Sequence, residues 1–357
     1  MARLDELFRY LKDHKGSDLH LGAGLEPRIR RHGHLEKIPD WPVLTDGDLR
    51  DLLGEIALPK QWEHFLSTHD LDFAYGLEGV ARFRANYLHQ ENGVGAVFRI
   101  IPEEIIPLEK LNLPPATETL ANLEQGLVLV TGPTGSGKST TLASIIDKIN
   151  QTHDRHIVTI EDPIEFVHPN KKSTISQREV GTDTESFATA LRAAIRQDPN
   201  VILVGEMRDF ETISLAITAA EMGVLVFGTL HTNSASKTID RVIDVFPTDQ
   251  QRQARGMLAS SLAAVASQLL LRTADGKGRV AALELLMRTT GLANVIREGN
   301  TPMINSIIQG GKKDGMQMMD DALYAFAKEG RITGEDAWLK ASNKKRFEEF
   351  AERRNGP

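Results

Sequence analysis

The stretch GLVLVTGPTGSGKSTT, residues 126–141, constrains this chain more than any other. An apolar run the length of a buried strand ends in G-x-x-x-x-G-K-S, Gly132 to Ser139, and a helix-forming sequence follows. Such a loop needs a strand to enter it and a helix to leave it. Its glycines let backbone N–H groups close round phosphate oxygens, and the helix N-terminus adds its positive end. The predicted cradle for ATP or GTP is Gly132, Pro133, Thr134, Gly135, Ser136, Gly137, Lys138, Ser139 and Thr140. Lys138 is placed to reach the β- and γ-phosphates, and Ser139 to offer Mg²⁺ a hydroxyl.

Strand and helix patterns then alternate: HIVTIE at 156–161, a helix around 185–197, VILVG at 201–205, a helix from Asp209, and VLVFGTL at 224–230. Alternation of this kind means an α/β domain, a parallel sheet covered by helices. RVAALELLM, 279–287, reads as a further strand, and a helical tail follows. In most P-loop ATPases a strand such as Val201–Val204 closes on an aspartate that helps hold Mg²⁺. Here Gly205 occupies that position and Glu206 comes next. A carboxylate one residue beyond a buried run can polarise an attacking water, so Glu206 is the predicted base. Glu161 and Asp162 end the strand before it, at the sheet edge where α/β proteins bind ligands. Mg²⁺ is then left to Ser139 and the phosphates, with Glu161 acting through water. His231 ends the strand 224–230 beside Thr, Asn and Ser side chains, a position suited to a switchable donor.

Residues 1–100 read as a small α+β domain. Leu4, Leu7, Phe8 and Leu11 share one helix face, SDLHL (17–21) is a strand, and PRIRRHGHLEKI (27–38) is a hairpin turning at His32-Gly33. Thr45 and Asp48 form a capping box, and VARFRANYLHQ (80–90) and GAVFRII (95–101) alternate like paired strands. Arg82, Arg84 and Arg99 lie on those strands; such arginines can offset charge on a triphosphate held by a neighbouring subunit. Arg192, Arg196 and Arg208 are further cations that spacing does not separate. Residues 101–119, rich in proline and without a clean period, read as a linker, leaving 120–357 to the P-loop domain.

The absence of cysteine excludes disulfides and cysteine-held zinc. A net charge of −7 argues against a chain whose business is coating nucleic acid, and its basic stretches are short and scattered. The longest greasy, helix-like stretch, ASSLAAVASQLLL at 259–271, is too short and too polar to span a bilayer. With no signal-like N-terminus, a cytoplasmic location is expected.

In this order GPTGSGKST, IEDPIEF, ILVGEMRD and GTLHTNSA resemble the Walker A, Asp-box, Walker B and His-box segments of the secretion ATPase superfamily. Gly-Glu at the Walker B position is a mark of that group. SDLHL, RFRANYLHQENGVGAVFRIIP and QREVGTDTESFATALRAAIRQDPN resemble its retraction branch, the PilT-like ATPases of type IV pili, so the likeness covers nearly the whole chain. The resemblance implies a RecA-like large domain, a PAS-like small one, and a homohexameric ring hydrolysing ATP with Mg²⁺ to retract pili in twitching motility. It gives Lys138 and Ser139 the phosphates and metal, Glu206 the catalytic glutamate position, Glu161 the Asp-box glutamate and His231 the His-box position. Arg82, Arg84 and Arg99 match the region that supplies arginines to the active site. Implied partners are an inner-membrane platform protein, at whose cytoplasmic face the ring would sit, and a paralogous retraction ATPase. Retraction motors carry an Ala-Ile-Arg-Ala-Gly-Glu-like segment to which LANVIREGN (292–300) is a partial match, at Ile296 and Arg297. A PilU-like accessory ATPase is therefore one alternative. A RecA-like DNA helicase is the alternative from another class; the charge balance opposes it, and no nucleic-acid partner is expected.

Overall fold

The computed structural model describes residues 3–101 and 104–351. Residues 102–103 of the expected linker and 352–357 of the expected tail lie outside them. The chain divides into two compact units, Met1–Glu104 with Pro163–Val167, and Ile105–Asp162 with His168–Pro357.

In the first unit α1 (Leu4–Asp13) leads into β1 (Asp18–Gly22) and the hairpin β2 (Arg28–Arg31)–β3 (His34–Lys37). The hairpin turns on His32 and Gly33, whose φ angles of 49° and 87° are the left-handed pair that a tight two-residue turn requires. Then come α2 (Asp46–Ile56), α3 (Pro59–Thr68), β4 (Asp70–Leu77), β5 (Ala81–Gln90) and β6 (Gly93–Ile101). Thr45 and Asp48 close the expected capping box on α2. The strands form one antiparallel sheet in the order β3-β2-β1-β6-β5-β4. Alternate residues, among them Leu19, Phe83, Tyr87 and Phe98, are buried in one core with α1 and α2. On the opposite sheet face the register sets Arg30, Asp18, Arg99 and Arg84 side by side across four strands.

The second unit alternates as expected: β7 (Gly126–Thr131), α4 (Lys138–Thr152), β8 (His156–Glu161), β9 (Thr174–Glu179), α5 (Phe187–Ala194), β10 (Val201–Val204), α6 (Phe210–Glu221) and β11 (Leu225–Leu230). It continues with α7 (Ala235–Asp244), α8 (Gln251–Ser261), β12 (Leu262–Arg272) and β13 (Arg279–Met287). The tail carries α9 (Thr290–Glu298), α10 (Ile304–Gly310), α11 (Met319–Lys328) and α12 (Gly334–Lys340). The sheet order is β13-β12-β7-β11-β10-β8-β9, parallel throughout except for β13. Both its faces are buried. Val128, Val130 and Phe227 pack against Leu142, Ile145 and Ile149 of α4, while Leu127, Leu129 and Ile202 pack on the side of α5, α6 and α8.

Two expectations need correction. The stretch 259–271 is mostly β12, with only its first residues in α8; small and apolar residues buried on both faces carry no strand alternation that would mark it. Residues 105–119 are not a free linker. Two 3₁₀ turns, Leu108–Leu111 and Pro115–Asn122, bury Leu108, Leu120 and Ala121 in the core shared with α4.

Candidate active site

Because β7, β11, β10 and β8 are parallel neighbours, their C-terminal ends stand in a row at one edge of the sheet. β7 runs into the glycine loop, β11 into His231, β10 into Gly205-Glu206, and β8 ends on Glu161. The predicted groups from these four segments thus share one edge, the place where parallel sheets bind ligands.

The loop turns on positive φ at Gly132 (146°), Gly135 (76°) and Gly137 (86°), and Gly137 caps α4. Lys138 donates to the loop carbonyls of Gly132 and Pro133 at 2.9 and 3.2 Å, an arrangement that keeps its ammonium over the cradle. Ser136 Oγ is buried without a hydrogen-bond partner. A cavity of about 800 Å³ opens beside Gly137, Thr140 and Thr141; residues 106–113 and the tip of the β12–β13 hairpin form its other walls. Ile106, Leu111 and Leu270 give it an apolar side for a base, and Lys277 and Arg279 a cationic rim.

The end of β10 explains the missing aspartate. Gly205 N–H donates to Ile160 C=O of β8 at 2.8 Å, and Met207 N–H to Thr229 C=O of β11 at 3.0 Å, so the chain stays locked between its neighbours past the strand. A Cβ at Gly205 would lie 3.1 Å from Ile160 O and 3.3 Å from Glu161 Cα. A side chain there would press on the backbone of β8, and the edge carries its carboxylates at Glu161 and Glu206 instead. Glu161 Oε1 accepts from Thr159 Oγ1 at 2.8 Å and Gln177 Nε2 at 3.2 Å.

Glu206 is gripped from two sides. Arg208 forks onto both its oxygens, Nη2 reaching Oε2 at 2.6 Å, and His231 Nε2 lies 2.8 Å from Oε1. Burial pushes the Glu206 carboxyl up, but the hydrogen bond and charge of Arg208, joined by His231, outweigh it and hold the group below the ordinary glutamate range. Of the cations that spacing left unseparated, Arg208 meets Glu206 at the site, while Arg192 pairs with Glu211.

Hydroxyls tie the edge together beneath these groups. Thr131 bonds Ser267 at 2.8 Å, and Thr238 bonds Thr232, the residue after His231, at 2.7 Å. Glu284 of β13, which no sequence motif marks, accepts from Ala235 N–H at the start of α7 and from Met319 N–H at the start of α11. Its burial raises the carboxyl's pKa against those two donors.

Arg82, Arg84 and Arg99 belong to the first unit. Arg99 Nε bonds Asp18 Oδ1 at 2.8 Å, and Arg84 lies 3.8 Å from Asp72. Among the described residues no cluster of three His, Asp or Glu side chains is poised to hold a metal. None of their helices is long and apolar enough to cross a membrane.

The family described as "Type II/IV secretion system protein" matches residues 71–333. The chain is 48% identical over 344 residues to the type IV pilus retraction ATPase PilT of Pseudomonas aeruginosa, covering 96% of this chain and 99% of that one. It is 38% identical over 339 residues to the type IV pilus ATPase PilU of the same organism, covering 95% and 88%. A crystal structure of the pilus retraction motor PilT with bound ADP superposes with a TM-score of 0.90 at 47% identity, covering 98% of this chain and 99% of that one.

Proposed function

This chain belongs to the type II/IV secretion system protein family, and from that premise we propose that it is an ATP-hydrolysing motor that retracts type IV pili. One observation carries the reading: the glycine loop, Glu161, Glu206 and His231 meet at one edge of a parallel sheet with a nucleoside-sized cavity beside the loop. The higher identity to PilT than to PilU, 48% against 38%, favours the principal motor over the accessory paralogue.

The residues present suit ATP and Mg²⁺. The glycine cradle, the orphaned Ser136 hydroxyl and Lys138 suit the phosphates, and the cavity suits adenosine. Ser139 would ligate Mg²⁺ directly and Glu161 through water; the metal, when bound, offsets charge on the transferred phosphate. Glu206, kept ionised by Arg208 and His231, takes the proton of the attacking water. His231 orients that carboxylate through its 2.8 Å contact and senses the γ-phosphate. In a homohexamer Arg82, Arg84 and Arg99 of one subunit would complete the next subunit's site, so turnover depends on assembly. The ring would work in the cytoplasm against an inner-membrane platform protein, with a paralogous retraction ATPase as a further partner.

The test is deletion from a piliated host. Surface pili should persist or increase while retraction and twitching motility fail. Bare cells without pili would instead assign an extension role and overturn the proposal.

A further inference from the structure

Gln268 is buried, 2% exposed, in the middle of β12, a strand that carries none of the groups assigned so far to the chemistry. Both ends of its amide are used on the phosphate loop and the helix behind it. Nε2 donates to the Ser136 carbonyl at 2.6 Å, and Oε1 accepts from Thr141 Oγ1 of α4 at 2.8 Å. Its backbone takes part as well. A Cβ at Gly132 would lie 2.3 Å from Gln268 O, and one at Gly137 would lie 2.9 Å from Gln268 Nε2. At Gly132, where the contact is with backbone, Gln268 presses close enough to need a glycine, whatever the phosphates require.

We propose that Gln268 is the positioning residue of the phosphate loop: it holds the loop's backbone in the shape that receives phosphate oxygens before any nucleotide arrives. Lys138 and the Ser136 N–H bond the loop to its own carbonyls and Gly132 N–H bonds Leu230 C=O, whereas Gln268 reaches it from β12 and joins it to the helix behind. A run with three left-handed glycines has many accessible shapes, and fixing one costs conformational entropy unless something holds it. A single amide that bonds the loop at Ser136 and the helix at Thr141 fixes the one relative to the other. Gln268 also lines the cavity beside the loop, so the same side chain borders both the phosphate and nucleoside regions.

This inference rests on the reading of the loop as a nucleotide site. If only the braced loop binds, apparent affinity falls in proportion to the braced fraction. Two hydrogen bonds of ordinary net strength, lost together, correspond to roughly 5- to 150-fold in that fraction. The experiment titrates the full chain with a fluorescent ADP analogue and, in competition, with inorganic pyrophosphate, alongside thermal denaturation of the nucleotide-free protein. Gln268→Met should weaken both ligands by a similar factor in this range. Gln268→Glu, which sets a carboxylate against the Ser136 carbonyl, should weaken them further. Thr141→Val should lose part of the affinity, and the double variant with Gln268→Met should lose no more than Gln268→Met alone, since both act through one brace. Wild-type affinity in Gln268→Met with only a lowered melting point would make the residue merely structural and overturn the proposal. A loss seen for ADP but absent for pyrophosphate would also overturn it, by placing the effect in the nucleoside contact. If Gln268 variants fail to fold, Thr141→Val decides alone: unchanged pyrophosphate affinity there refutes the brace. Failure of the wild-type chain to bind either ligand would instead remove the nucleotide reading itself.

Discussion

Gly205→Ala isolates the reason this chain lacks the usual aspartate after β10. The added methyl would stand 3.1 Å from Ile160 O, 3.3 Å from Glu161 Cα and 3.7 Å from Glu161 Cγ. The two nearest atoms are backbone of β8, so no rotamer change relieves the contact and the strand end itself must shift by a few tenths of an ångström. Overpacking of this kind costs about 1–3 kcal/mol. At ~2–4 °C per kcal/mol for a domain of this size, the melting midpoint should fall by roughly 2–12 °C. The displaced residue is Glu161, and since a 1 Å misplacement can cost about 10²-fold, a smaller shift should lower turnover several-fold. The Mg²⁺ requirement should move with it. Differential scanning fluorimetry and a coupled ATPase assay across a Mg²⁺ series read both effects. Gly205→Asp adds a second negative charge beside Glu161 and should be worse than alanine in each. If Gly205→Ala melts and turns over like the wild type at every Mg²⁺ concentration, strand spacing does not account for the glycine.

Lys138→Ala should abolish hydrolysis and weaken nucleotide binding, measured by steady-state ATPase and titration; normal turnover would sink the loop assignment. Glu206→Gln should still bind ATP but lose about 10²–10⁴-fold in turnover, whereas Glu161→Gln should lose activity together with Mg²⁺ affinity. The reverse pattern would mean that the two carboxylates have exchanged roles. Glu284 gives a pH test. A carboxyl whose pKa is raised by folding contributes most below its ordinary value of 4.5 and loses that contribution as pH rises through the raised value. The melting point of Glu284→Gln relative to wild type should therefore improve between pH 4.5 and 7.5, and a steady or opposite trend would show that the carboxyl's burial has no such effect.

Much of the second unit was legible because its signals are local. The glycine loop states its own conformation, and Val201–Val204 and Leu225–Leu230 are mostly apolar runs of strand length. His32-Gly33 and the Thr45–Asp48 box announced a turn and a helix start in the first unit for the same reason. What escaped is what depends on distant partners. β12 hides among small residues because both its faces are covered. β9, TISQRE, is a polar edge strand without alternation. Arg208 could be told from Arg192 only by seeing which carboxylate each one meets. Gln268 lies 132 residues beyond the loop carbonyl it holds, so no spacing rule could have found it.

That separation bears on how the protein is made. During synthesis the whole glycine motif leaves the ribosome well before β12 exists, and domains emerge N-terminal end first at about 5–20 residues per second. For several seconds a nascent chain carries the complete nucleotide-binding sequence without the strand that shapes it. A fragment ending before Leu262 would have the motif and lack the brace. Nucleotide that recognises only the braced loop then stabilises only chains whose sheet has closed, by mass action on the finished fold. If the proposed brace holds, nucleotide favours completed chains over partly made ones in a cell rich in ATP.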